Sequence, residues 1–247
     1  MPAFRGNCLY FSAALMWLLC CTQPSLSETD IAEQTLAADR VVVEAYQPGS
    51  GLPVGKIQAV RGDTVLYHRD PAVGYRAEAG LPLYQGDTVS TRQDGRILCR
   101  LVDGSRFFLT PASTLKILQC NFNSARQAGV SFLSLKQGDA RFQVAASDGV
   151  SAYEFKVQTE MAFIETHSAD FVIRTRPRAT EVMTLTGSRL EVTDMADPEE
   201  VIFLSNFQRL LLAGRQQPPA VETVSRAEAD AIKAKFQLYP AAADQSP

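Results

Sequence analysis

The sequence predicts an all-β fold, a solenoid-like or sandwich-like stack of short strands with one C-terminal α-helix. Two observations carry this. Gly-Asp or a near equivalent recurs as punctuation, at Gly62-Asp63, Gly86-Asp87, Asp94-Gly95, Asp103-Gly104, Gly138-Asp139, Asp148-Gly149 and Gly187-Ser188. Between these turns lie short runs in which apolar and polar residues alternate, with no long helical period between them, and this leaves little room for an α/β fold.

The first residues stand apart. Arg5 precedes the uncharged segment 8–21 (CLYFSAALMWLLCC), which at about 14 residues is too short to span a bilayer comfortably and reads as a secretory signal peptide. Ser25 and Ser27 flank Leu26 after Pro24 and offer a peptidase site before Glu28. The expected organisation is a signal peptide over 1–27, an N-terminal segment over 28–50 and a β domain over 51–214. Residues 215–247 then hold a linker, a helix and a tail. Export places the mature chain in the periplasm or outside the cell, without a membrane span. A lipoprotein anchored through Cys20 or Cys21 is the rival, but Leu19 and Cys20 stand where a small residue normally precedes the lipidated cysteine.

The predicted strands are 54–60, 64–67, 88–91, 96–102, 106–109, 114–118, 130–135, 140–145, 152–159, 162–166, 170–175, 181–185, 189–193, 201–204 and 209–213. A unit built on Gly-Asp returns as AVRGDTV, LYQGDTV and SLKQGDARF, with unequal spacing and no strict period. The tripeptide Arg61-Gly62-Asp63 matches an adhesion motif but reads as one of these turns. RQQPP (215–219) is a linker, and AAADQSP (241–247) a loose tail. Ser225 and Glu228 form a capping box ahead of a helix whose Ala229, Ile232 and Phe236 share one face.

Removing the signal peptide takes three of the five cysteines and leaves Cys99 and Cys120. In an oxidising compartment these two would close a loop of about 20 residues, worth roughly 3 kcal/mol as a disulfide. Cys99 alternates with Ile97 and Leu101 on the expected buried face, so a buried free thiol is the equal alternative.

No catalytic, cofactor-binding or metal-binding residue emerges. A formal charge of −3 and a pI near 5.5 argue against nucleic acid, because no stretch supplies a Lys/Arg cluster. His68 and His167 lack metal-ligand spacing. Asp63, Asp87, Asp103 and Asp139 would serve a carbohydrate-active enzyme if a solenoid aligned them. An aspartate beside glycine in a turn, however, already has backbone amides to bind. Asp194, Asp197, Glu199 and Glu200 read as one solvated loop, and Phe107-Phe108 with Tyr153 and Phe155 as core or sheet surface.

Five segments then carry a family likeness: GKIQAVRGDTV (55–65), GLPLYQGDTVST (80–91), LVDGSRFFLTPASTLKIL (101–118), LSLKQGDARFQV (133–144) and 155–173. Together, over about 55–213, they resemble the FecR protein domain, whose pattern runs G-x-V…G-D, L-x-x-G-D-x-I-x-T, D-G-S-x-L-x-L-x-P-x-S, L-x-x-G and V-x-T-P…G-T-x-F-x-V. Thr159-Glu160 and Ser168-Ala169 stand where the family has Thr-Pro and Gly-Thr, ahead of a retained Asp170-Phe171. The resemblance implies a periplasmic, β-rich, solenoid-like domain. The best-known members are transmembrane sensors that relay an iron-uptake signal to a sigma factor, and that relay is not expected to carry over. The expected function is a non-catalytic binding or scaffold module engaging an envelope protein or a cell-wall glycan.

Overall fold

The computed structural model describes residues 41–43, 45–68, 73–126, 128–144, 153–187, 189–214 and 219–238. In chain order the strands are β1 (Val41–Val43), β2 (Gly55–Arg61), β3 (Thr64–Tyr67), β4 (Val73–Arg76), β5 (Pro82–Leu83), β6 (Thr88–Thr91), β7 (Arg96–Leu101), β8 (Arg106–Leu109) and β9 (Thr114–Asn123). They continue with β10 (Ala128–Val144), β11 (Tyr153–Gln158), β12 (Ala162–Thr166), β13 (Ala169–Arg176), β14 (Ala179–Gly187), β15 (Leu190–Asp194), β16 (Asp197–Leu204), β17 (Gln208–Leu212) and β18 (Ala220–Thr223). Helix α1 (Arg226–Lys235) follows.

These strands form two hydrogen-bonded ladders. Ladder A runs β1-β4-β3-β6-β9-β10-β11-β12-β15-β16. Ladder B runs β5-β2-β7-β8-β10-β13-β14-β17-β18. Strand β10 belongs to both, because its first part pairs with β9 and β11 and its part from Gly138 onward pairs with β8 and β13. One side chain in two along each strand faces the other ladder. The shared core holds Ile57, Cys99, Phe107, Phe142 and Phe171 from ladder B against Leu66, Leu115, Leu133, Phe155 and Ile164 from ladder A. The rings of Phe142, Phe155 and Phe171 meet in the middle, with centroids 5.2 to 6.5 Å apart.

The all-β reading with one C-terminal helix holds, and the two-ladder packing gives it its sandwich character. Solenoid coils would pair parallel strands. Among the described residues only β1 with β4 and β10 with β11 do so, and the rest are antiparallel. Asp103-Gly104 turns the β7–β8 hairpin, but several of the other Gly-Asp positions mark crossings between the ladders. At Gly62-Asp63 and Gly86-Asp87 the chain passes from ladder B to ladder A, and at Asp94-Gly95 it passes back. Gly138-Asp139, expected as a turn, lies inside β10 at the same kind of crossing, so run 130–135 and residues 140–144 of the next run lie on one strand. Gly138 has φ +91°, and a Cβ there would come 2.2 Å from Ser113 Oγ, so the bend is made by backbone freedom and close approach rather than by a reversal. Asp148-Gly149, Ser188 and residues 215–218 lie outside the described residues.

Four short strands escaped the pattern: β1, β4, β5 and β18. The acidic residues 194–200 do not form a loop, because Asp194 ends β15 and Asp197 to Glu200 open β16, all at the surface of a hairpin. Where the family's Thr-Pro and Gly-Thr are replaced, side chains make the turns. Thr159 Oγ1 accepts the Ala162 amide at 2.9 Å, and Thr166 Oγ1 accepts that of Ser168 at 3.2 Å.

Helix α1 lies on the outer face of ladder B. Ala229, Ile232 and Phe236 bury against Val172, Met183 and Leu185, and half-buried Phe108 and Phe207 pack at the margin. Ser225 Oγ accepts the Glu228 amide at 3.2 Å, but the Glu228 carboxylate turns to Arg209 Nη1 at 3.0 Å. At the other end Arg96 Nη1 donates to the Lys235 carbonyl, a cation on the negative end of the helix dipole. Among the described residues no helix is long and apolar enough to cross a membrane.

Candidate functional site

Residues 46–54 form a strap across the ends of the first strands. Its footing comes from backbone and ring contacts. Tyr46 Oη donates to the Pro82 carbonyl at 3.2 Å, the Val54 amide to Leu83 at 2.7 Å, and the Val102 amide to the Val54 carbonyl at 3.0 Å. Beneath the strap sits His68, at the end of β3, with the rings of Tyr46, Tyr75 and Tyr84 at centroid distances of 5.6, 5.1 and 5.6 Å.

His68 joins the strap to a buried carboxylate. Its Nε2 lies 2.8 Å from the Gln47 carbonyl oxygen, which can only accept, so Nε2 carries a hydrogen. Its Nδ1 lies 2.8 Å from Asp87 Oδ1, and Asp87 Oδ2 accepts the Tyr84 amide at 2.8 Å. Burial raises the Asp87 pKa, while the hydrogen bonds from His68 and the Tyr84 amide oppose it. Both imidazole nitrogens and both carboxylate oxygens are thus occupied by hydrogen bonds. Burial first, and then the neighbouring Tyr84 and Asp87, raise the Tyr46 pKa, so its hydroxyl stays protonated at neutral pH. Gly49 passes so close that a Cβ would sit 2.6 Å from Tyr84 Cδ2.

Two cavities open along the strap. The smaller, about 410 Å³, is lined by Pro48, Gly49, Ser50, His68, Tyr84, Gln85 and Asp87. The larger, about 830 Å³, lies beyond Ser50 and Gln85, which both cavities share. It is walled by Leu52, Val54, Val102, Phe122 and Arg126, among others. Leu52 stands 88% exposed on its rim and Val102 49% exposed.

Cys120 lines the larger cavity at its floor. Its Sγ lies 3.2 Å from Ser131 Oγ, which donates to Asp103 Oδ2 at 2.5 Å. The Tyr153 hydroxyl donates to the same oxygen. Asp103 Oδ1 accepts the Ser105 amide at 2.7 Å, tying the β7–β8 hairpin to β10 and β11. Burial pushes the Cys120 thiol up to about 11 and raises the Tyr153 pKa, so both are protonated at neutral pH. A thiol in that state is no nucleophile. Cys99 is fully buried on β7, its pKa also raised by burial, and both cysteines are free thiols.

The turn carboxylates disperse. Asp63 contributes backbone atoms, its amide donating to Asp94 Oδ1 at 3.1 Å. Asp87 holds His68, and Asp103 holds Ser131, Tyr153 and its own turn. Asp139 Oδ1 lies 2.6 Å from Arg176 Nη1, a charge contact without hydrogen-bond geometry. None of the four is hydrogen-bonded or ion-paired to another. Among the described residues no group of three or more His, Cys, Asp or Glu side chains converges as a metal ion would require. His167 sits in the β12–β13 turn with Nδ1 2.6 Å from the Tyr153 carbonyl. Phe107, Tyr153 and Phe155 are core, and Phe108 lies beside the helix. Sequence reasoning missed the His68–Asp87 pair, because 19 residues separate its members and only the β3–β6 pairing unites them.

The fold and strap define a two-ladder β domain with a pinned loop at one end. Residues 87–188 match the model of the FecR protein family, and the chain carries a FecR-like domain over that segment. No curated protein matches the chain. Among solved structures it is similar to two crystal structures of a "putative anti-sigma factor" from Parabacteroides distasonis. The 2.50 Å structure aligns at 20% identity and a TM-score of 0.50, covering 61% of this chain and 64% of that one. The 1.65 Å structure aligns at 20% identity and a TM-score of 0.48, covering 59% and 64%. The chain thus spans less than two thirds of the length of these structures, and the likeness is one of fold.

Proposed function

We propose that this protein is an exported, non-catalytic FecR-type binding module that engages an envelope protein or cell-wall glycan through the cavity beside the strap. The family match over 87–188 and the apolar segment 8–21 support the module and its export. One observation carries the placement. Leu52 on the strap and Val102 just after β7 stand as exposed apolar side chains on the rim of the 830 Å³ cavity, while the groups that chemistry would need are committed to holding the scaffold. An exposed apolar anchor beside a preformed groove is the usual core of a recognition surface.

The test uses the full chain and a Leu52→Glu/Val102→Glu variant, each cross-linked in its native envelope and recovered by pull-down. A partner captured by the parent and lost from the variant is the expected result. A partner held equally by both would move the interface elsewhere, and repeated recovery of no protein or glycan would sink the module reading.

A further inference from the structure

Charge divides the outer face of ladder B in two. On β10, β13 and β17 the arginines meet carboxylates: Arg141 with Asp170 at 2.6 Å, Arg174 with Glu181 at 2.9 Å, Arg176 with Asp139 at 2.6 Å and Arg209 with Glu222 at 2.7 Å. Strands β2, β7 and β8 read GKIQAVR, RILCRL and RFFL, with cations and no carboxylate. Their inward side chains, Ile57, Ile97, Cys99, Leu101 and Phe107, are buried, so alternation turns the cations outward.

The register aligns them. Lys56 stands opposite Arg100, Arg100 opposite Arg106, and Arg61 opposite Arg96. Arg96 is committed to the end of α1. Lys56, Arg61, Arg100 and Arg106 are exposed, and none of the ion pairs among the described residues involves them. Strand spacing gives the Lys56–Arg100–Arg106 row a width of about 10 Å, with Arg61 about 16 Å further along β2. Like charges directly opposite one another oppose folding. The chain nonetheless keeps this row uncompensated, although its 27 Asp and Glu outnumber its 24 Lys and Arg.

Between the cations the outward Leu98 and Phe108 are half-buried, so what this face opens to solvent is mainly charge. No large apolar side chain is exposed on these strands, and none of the cavities described above is lined by them. A protein partner would want an apolar or aromatic core. A cationic face without one fits an extended anionic surface. We propose that the outer face of β2, β7 and β8 docks the molecule onto a bilayer of anionic lipids, the guanidinium groups of Arg61, Arg100 and Arg106 and the Lys56 ammonium meeting headgroup phosphates. Each such cation contributes about fivefold in partitioning, so the four together give a reversible attachment of several hundredfold. None of the four cations lines the strap cavity, and the proposal stands without it.

The test is co-sedimentation of the full chain with vesicles of phosphatidylcholine alone or of phosphatidylcholine and phosphatidylglycerol at low ionic strength. The readout is the ratio of anionic to neutral partitioning, in which any uptake through segment 8–21 cancels. The expected ratio for the parent is several hundred, falling about a hundredfold in Lys56→Gln/Arg100→Gln/Arg106→Gln and collapsing for the parent at high salt. The triple variant should melt at the same temperature as the parent or higher, since it relieves repulsion. A parent ratio near one, a ratio unchanged in a folded variant, or a variant that melts lower because the cations serve the fold would each overturn the proposal.

Discussion

Cys120 shows what burial does to a single residue. The sequence leaves its thiol equally open to pairing with Cys99 or to burial as a free group, and the structure sets it under the strap in contact with Ser131. Its folded-state pKa, about 11, lies above the ordinary 9.0, so the fold prefers the neutral thiol. That preference stabilises fully below pH 9 and is lost as pH rises through 11, amounting to on the order of 2 kcal/mol. Urea midpoints measured from pH 8 to 11 should therefore fall more steeply for the parent than for Cys120→Ala. The buried tyrosines titrate with the same sign in both proteins and drop out of the difference. Parallel curves would show that the thiol does not feel the burial described.

At the scale of one element, α1 is the segment whose sequence and structure agree most closely. The cap, the buried face and the end dipole are all local or nearly so. Ser225→Ala should cost about 1 kcal/mol of local stability, read as faster amide hydrogen exchange over 227–236. The loss falls on the cap alone, because the second half of the expected box is absent and Glu228 serves Arg209 instead. Unchanged exchange would mean the Ser225–Glu228 bond does not hold the first turn. Strand β10 is the opposite case. Its bend at Gly138 is written in the same two letters as the turns at Gly62 and Gly86, and only its pairing with β8, β9, β11 and β13 reveals a continuous strand.

Across the whole molecule the two ladders depend on one another through one shared core. Phe142, fully buried on the shared strand, touches Phe155 from ladder A and Phe171 from ladder B. Phe142→Ala should cost about 3–5 kcal/mol in chemical unfolding, with both ladders lost in one transition. Two separate transitions, or a cost under about 1 kcal/mol, would mean the ladders do not share a core. The same coupling explains why β1, β4, β5 and β18 were illegible. Each is two to four residues long and forms because a neighbouring strand is there to pair with.

The sequence by itself determined the all-β class, most of the strands, the family likeness and the C-terminal helix with its cap and buried face. Each of these rests on periodicity, turn chemistry or motif over a few consecutive residues. Tertiary structure alone decided the alternation between two ladders, the hydrogen bond between His68 and Asp87, and the cation row of Lys56, Arg100 and Arg106. Each of those joins residues from separate strands, and their distances are set by strand pairing, which no local pattern encodes.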